Sequence, residues 1–170
     1  MVRALAAEPS CAETVMVNRR AVPPAFGPRV RQVILDTADA RFPAEVTELA
    51  RGMVAQGDPV YGASCVGVGK GSLKWSEQDL MALEIGVVGG FARGCQAGGI
   101  TQFALLSAVG STPKSRYVAW LGRLIPGRFG TIEQDDIGRA FVAEFIEGPA
   151  RNGTVHLENE AMRQRSRTLS

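Results

Sequence analysis

Apolar positions along this chain recur with two alternating periods, and the alternation lays out helices and strands in turn. Residues 2 to 8 are good helix formers stopped by Pro9, and residues 13 to 18 form a short β-rich run ahead of Arg19-Arg20. Pro23, Pro24, Gly27 and Pro28 make a loop, and Val30 to Leu35 reads as a second strand ending at Asp36. From Pro43 to Val54 the spacing of Val46, Leu49, Ala50 and Met53 predicts a helix, with Pro43 in its first turn.

A strand of small residues then begins at Pro59 and runs into the glycine-rich stretch Val66 to Ser72. The strongest helix signal follows. Ser76 and Asp79 have the spacing of a capping box, Leu80, Leu83, Val87, Phe91 and Cys95 recur at helical spacing, and Gly98-Gly99 supply the stop. Ile100 to Leu106 is nearly uninterrupted in its apolar character, as a strand covered on both faces requires. The pattern loosens from Ser111 to Arg128 and recovers from Ile132, where Gln134-Asp135-Asp136 opens a helix carrying Ile137, Phe141 and Phe145 on one face. Gly153 to Leu157 reads as a last short strand. This order predicts an α/β fold with a doubly wound parallel sheet and right-handed crossovers.

Composition narrows the class. At 170 residues, 45% apolar and 21% charged, the chain is a folded domain without a membrane-length apolar run. Nineteen Lys and Arg against 17 Asp and Glu leave a formal charge of +2, far from the basic excess that grips a phosphate backbone, so nucleic acid is not an expected partner. Arg163, Arg165 and Arg167 read as a solvated, flexible tail. The three cysteines, Cys11, Cys65 and Cys95, form no CxxC pair, and His156 is the single histidine, so neither a zinc site nor a disulfide framework is expected. No signal-peptide core follows the N-terminus, and the cytoplasm is the expected compartment.

Parallel sheets of this type take ligands beyond the carboxyl ends of their strands, which directs attention to Arg19-Arg20, Asp36, Gly67 to Ser72 and Ser107. Two adjacent arginines at a strand end either solvate a turn or supply the planar, permanent donors that a ribose 2′-phosphate needs, whereas an acid there would suit NAD. The glycine-rich stretch matches neither nucleotide motif. Ser64 stands where a P-loop needs its first glycine, Gly71 follows Lys70, and Ser72 replaces the third glycine of Gly-x-Gly-x-x-Gly. Ser107 and Tyr117 are a hydroxyl and a phenol ten residues apart; they are either a strand-end serine and a half-buried tyrosine or a proton-handling pair.

The order Asn18-Arg-Arg, strand plus Asp36, Cys65-Val-Gly67, the run Ile100 to Ser111 and Ser115-Arg-Tyr117 resembles the atypical short-chain dehydrogenase/reductases, in the NAD(P)-binding group of Tat-interactive-protein-like oxidoreductases. The resemblance covers residues 2 to 148. It implies a Rossmann-like domain over residues 1–150, with residues 151–170 forming the last strand and tail. It also implies NADP in preference to NAD, hydride transfer to a small carbonyl compound, Arg19 and Arg20 on the 2′-phosphate, and Asp36 near the adenine. Cys65, Val66, Gly67 and Ser107 complete the cofactor-binding set, with Ser107 and Tyr117 as catalytic residues.

Two departures shape the expectation. Tyr117 is followed four residues later by Leu121, where that family carries a lysine. The chain also opens on the helix that in the family follows the first strand and its glycine-rich loop, so an incomplete sheet is expected, and an unpaired strand edge would favour a homodimer. The alternatives are a non-catalytic nucleotide- or protein-binding module and a truncated gene product without activity.

Overall fold

The computed structural model describes residues 1–23, 26–66, 75–106, 134–147 and 153–169. Its first elements are helix α1 (Val2–Ala7), strand β1 (Thr14–Asn18) and strand β2 (Val30–Ile34), each within a residue or so of the span that the periodicity predicts. Six residues are too few for a helix to persist alone. Arg29 supplies what is missing: its guanidinium donates to the carbonyls of Ala6 (2.6 Å), Glu8 (3.0 Å) and Cys11 (2.9 Å), satisfying acceptors at and beyond the C-terminal end of α1.

β1 and β2 form one ladder. Thr14 N–H donates to Arg29 O (2.8 Å) and Leu35 N–H to Asn18 O (3.0 Å), so both strands advance in the same direction and the pair is parallel. A second parallel ladder joins β3 (Tyr61–Ser64) to β4 (Gln102–Leu105), with Tyr61 opposite Gln102 and Ser64 opposite Leu105. The described strands thus make two two-stranded ladders in a mixed α/β chain.

The packing divides into two compact units. One comprises Met1–Met16, Val22–Val33 and Ala108–Ser170; the other comprises Val17–Ala21 and Ile34–Ser107. In the second unit, helix α2 (Phe42–Val54) has Pro43 in its first turn and buries Phe42, Val46 and Ala50 at four-residue spacing. A long helix follows β3: α3 (Glu77–Met81), a π-helical stretch (Ala82–Val88) and α4 (Gly89–Ala97) run on without a break. The capping box at its start forms as the sequence predicts, with Asp79 N–H donating to Ser76 Oγ (3.0 Å) and Ser76 N–H to Asp79 Oδ2 (3.3 Å).

Gly90, Gly94 and Gly98 place one bare edge of α4 against α2. A Cβ at 94 would stand 2.7 Å from both Pro43 O and Val46 Cβ, and one at 98 would overlap Ala50 Cβ. The core of this unit is Phe42, Val46, Ala50, Cys95 and Ile100, with Val17, Leu35, Val60 and Phe91 packed around it. Gly99 then turns the chain at φ +96°, a left-handed conformation suited to glycine.

In the first unit, helix α5 (Gln134–Glu147) buries Phe141 and Phe145, whose rings meet edge to face at 6.3 Å, and its Gly138 lies close under Met1 and Ala4 of the α1 turn. Helix α6 (Asn159–Ser166) and a 3₁₀ turn (Arg167–Leu169) pack on α5.

Three expectations are corrected. The strand predicted at residues 153 to 157 is absent: a bend at Gly153 is followed by irregular backbone that leads into α6. The tail expected to be solvated and flexible is instead docked: Arg165 donates to Glu144 Oε1 (2.6 Å), Glu147 and Ala143 O, and its side chain is 11% exposed. β4 also differs from a strand covered on both faces, since Phe103 is 37% and Leu105 is 53% exposed.

Candidate functional site

A parallel ladder sends all its strands out at the same edge, so the residues just after β1 and β2 emerge side by side. The bond from Leu35 N–H to Asn18 O fixes this at the last rung. Arg19-Arg20 and Asp36 follow immediately. Both arginines are exposed, and neither guanidinium has a hydrogen bond or ion pair among the described residues. These are two cations free to meet an anion.

Asp36 is also exposed, but one of its oxygens is engaged. Oδ1 accepts from Ala38 N–H (3.0 Å), and the Asp36 carbonyl accepts from Asp39 N–H (3.1 Å), which turns the chain towards α2. Asp39 completes that turn by accepting from the Arg41 backbone N–H (2.8 Å) and guanidinium (2.8 Å to Nη2). The side-chain bond from Arg41 holds the Asp39 carboxyl down at about 2.

The second ladder repeats the arrangement. Leu106 N–H donates to Ser64 O (2.9 Å), so Cys65 and Val66 leave β3 beside the end of β4. Cys65 is exposed as a residue and Val66 is 45% exposed, while Ser64 beneath them is buried. Partial burial nonetheless pushes the Cys65 thiol up, and the buried Cys95 thiol is pushed up to about 11 by loss of solvent, so neither is an activated nucleophile.

All five of these predicted residues, Arg19, Arg20, Asp36, Cys65 and Val66, belong to the same unit, and each follows the carboxyl end of a parallel strand. Gly67, Ser107 and Tyr117, with Lys70 and Leu121, lie outside the described residues. No group of three or more His, Cys, Asp or Glu side chains that could hold a metal occurs among the described residues. No described helix is long and apolar enough to cross a membrane.

One surface was not anticipated from the sequence. A shallow cavity of about 640 Å³ is lined by Glu77, Gln78, Met81, Ala82, Ile85 and Gly86. The signal for it was present. Met81 and Ile85 are spaced four apart on the side of the helix away from Leu80, Leu83 and Val87, which leaves the middle of this helix apolar on more than its core face.

Comparison with protein-family models, curated proteins and solved structures finds no match to this chain.

Proposed function

We propose that this chain is an NADP(H)-binding module of short-chain oxidoreductase lineage, with a Rossmann-like arrangement of its parallel strands and the cofactor lying across their carboxyl ends. The observation that carries the reading is the last rung of the β1–β2 ladder, which sets Arg19-Arg20, without a partner among the described residues, beside Asp36. Arg19 and Arg20 take the ribose 2′-phosphate through charge-assisted hydrogen bonds, and the free oxygen of Asp36 faces the adenosine side. The strand end Cys65-Val66-Gly67 lets the cofactor approach closely. Bound NADPH supplies a hydride. Ser107 and Tyr117 hold the carbonyl oxygen of a small substrate, and the Tyr117 phenol delivers the proton to it. Three cysteines without a CxxC pair suit a cytoplasmic setting.

Calorimetric titration of the whole chain with NADPH and then NADH tests this, with a thermal melt of each mixture. Micromolar binding that prefers NADPH and raises the melting temperature is expected, and replacing Arg19 and Arg20 by alanine should weaken NADPH by about tenfold or more while leaving NADH unchanged. No heat and no thermal shift from a cooperatively melting chain would overturn the reading.

Leu121 favours a second reading, binding without turnover, because it stands where a lysine would lower the phenol pKa of Tyr117. A Leu121→Lys variant that gains reduction of generic aldehydes or quinones would support a latent reductase site. A variant that binds NADPH and still turns nothing over would support the binding module.

A further inference from the structure

The side of the long helix that faces away from the core carries two adjacent rows of residues at four-residue spacing. One row is large, Glu77, Met81 and Ile85; the other begins at Gln78 and narrows to the small residues Ala82 and Gly86, and together they line the shallow cavity. Met81 is 51% and Ile85 is 57% exposed, while a Cβ added at Gly86 would meet nothing within 4 Å. The Met81–Ile85 ridge therefore lies beside a notch at Ala82 and Gly86 on one surface.

Such a surface is complementary to itself. An antiparallel two-fold placed between residues 83 and 84 sets Met81 of each copy over Gly86 of the other and Ile85 over Ala82, so that each large side chain fills the notch left by a small one. Charge agrees with shape. Glu77 stands at one end of the ridge, and the Arg93 guanidinium lies beyond the other, with Nη1 3.2 Å from where a Cβ on Gly89 would be. Neither Glu77 nor Arg93 has an ion pair among the described residues. Antiparallel docking brings each Glu77 towards the opposite copy's Arg93.

We propose that this face, built on Met81, Ala82, Ile85 and Gly86, is the docking surface for a second copy of the chain. The patch is small beside the roughly 800 Å² per partner of a standard stable interface, so the dimer is weak and concentration-dependent. The association is independent of cofactor binding.

Sedimentation velocity on the full chain, from about 1 to about 200 μM, reads it directly across the range where weak interfaces associate. The wild type should shift from monomer to dimer over that range. Gly86→Glu fills the notch without touching the rest of its own chain and should remain monomeric with an unchanged melting temperature. Glu77→Arg and Arg93→Glu should each weaken the dimer, and the two together should restore it. A wild type that stays monomeric throughout would overturn the proposal. So would a Gly86→Glu variant that dimerises like the wild type, because association would then run through another surface such as a strand edge.

Discussion

The Phe103 ring lies over Gly62, its register partner across the β3–β4 ladder. A Cβ at residue 62 would come within 2.7 Å of Phe103 Cδ2 and 3.3 Å of Cys95 Sγ. The ring also meets Phe91 at a centroid distance of 6.0 Å, so the glycine lets an aromatic pair close over the ladder. Gly62→Ala should lower stability by about 1–2 kcal/mol, because the half-exposed ring can swing outward but the sulfur beneath cannot. Thermal melts beside a Gly62→Ala/Phe103→Leu variant check this; the second change should recover part of the loss.

The α2–α4 contact gives a sharper contrast. Gly94→Ala drives a methyl against the Pro43 carbonyl and the Val46 Cβ, both 2.7 Å away, and should cost about 2–3 kcal/mol. Gly52 lies on the exposed side of α2 with nothing within 4 Å of an added Cβ. Gly52→Ala should stabilise the chain by about 0.5–1 kcal/mol through helix propensity alone. Urea unfolding of both variants would show opposite shifts in midpoint at constant slope.

Acid should reach the turn before α2 late. Asp39 is held at about 2 by the Arg41 guanidinium, against an ordinary value of 3.8. A depressed folded value contributes stability that is complete above the unfolded value and is lost as pH falls from about 4 through about 2. Asp39→Asn should therefore be slightly less stable than the wild type at neutral pH and should flatten that part of the profile, so that the two chains converge near pH 2. Urea midpoints measured at pH 5, 3 and 2 for both chains test it.

Arg165 binds α6 to α5, and its removal should be felt locally. Arg165→Met keeps the aliphatic stem but leaves Glu144, 20% exposed at the side chain, without that guanidinium, and should cost about 1–2 kcal/mol. Glu147 is half exposed and adds little to that figure. Hydrogen exchange should accelerate across Asn159–Ser166 before it changes in α2 or α4.

The sequence carried the short-range decisions of this fold well. The Ser76–Asp79 box, Pro43 in a first helical turn and Gly99 after α4 are signals whose partners lie within a few residues, and each formed as expected. Long-range decisions were hidden. Arg29 and Arg165 look alike as surface cations, yet each finds its acceptors about twenty residues away, and charge alone names no partner at that separation. The π-helical stretch escaped as well, since it is a shift of hydrogen-bond register that the apolar spacing of Leu83, Val87 and Phe91 does not record. At the candidate site, Arg19, Arg20 and Asp36 were placed by strand ends and stand there. That Asp36 gives one oxygen to Ala38 was not legible, because an aspartate after a strand serves a turn and a ligand equally well.

Arg29 also makes one element depend on another. Its guanidinium is the shared knot for three carbonyls at the end of α1, and those six helical residues cannot hold their shape unaided. The helix Val2–Ala7 is therefore conditional on a side chain more than twenty residues further along the chain. The first helix by number is, in this sense, lent its shape by the residue that leads into a later strand.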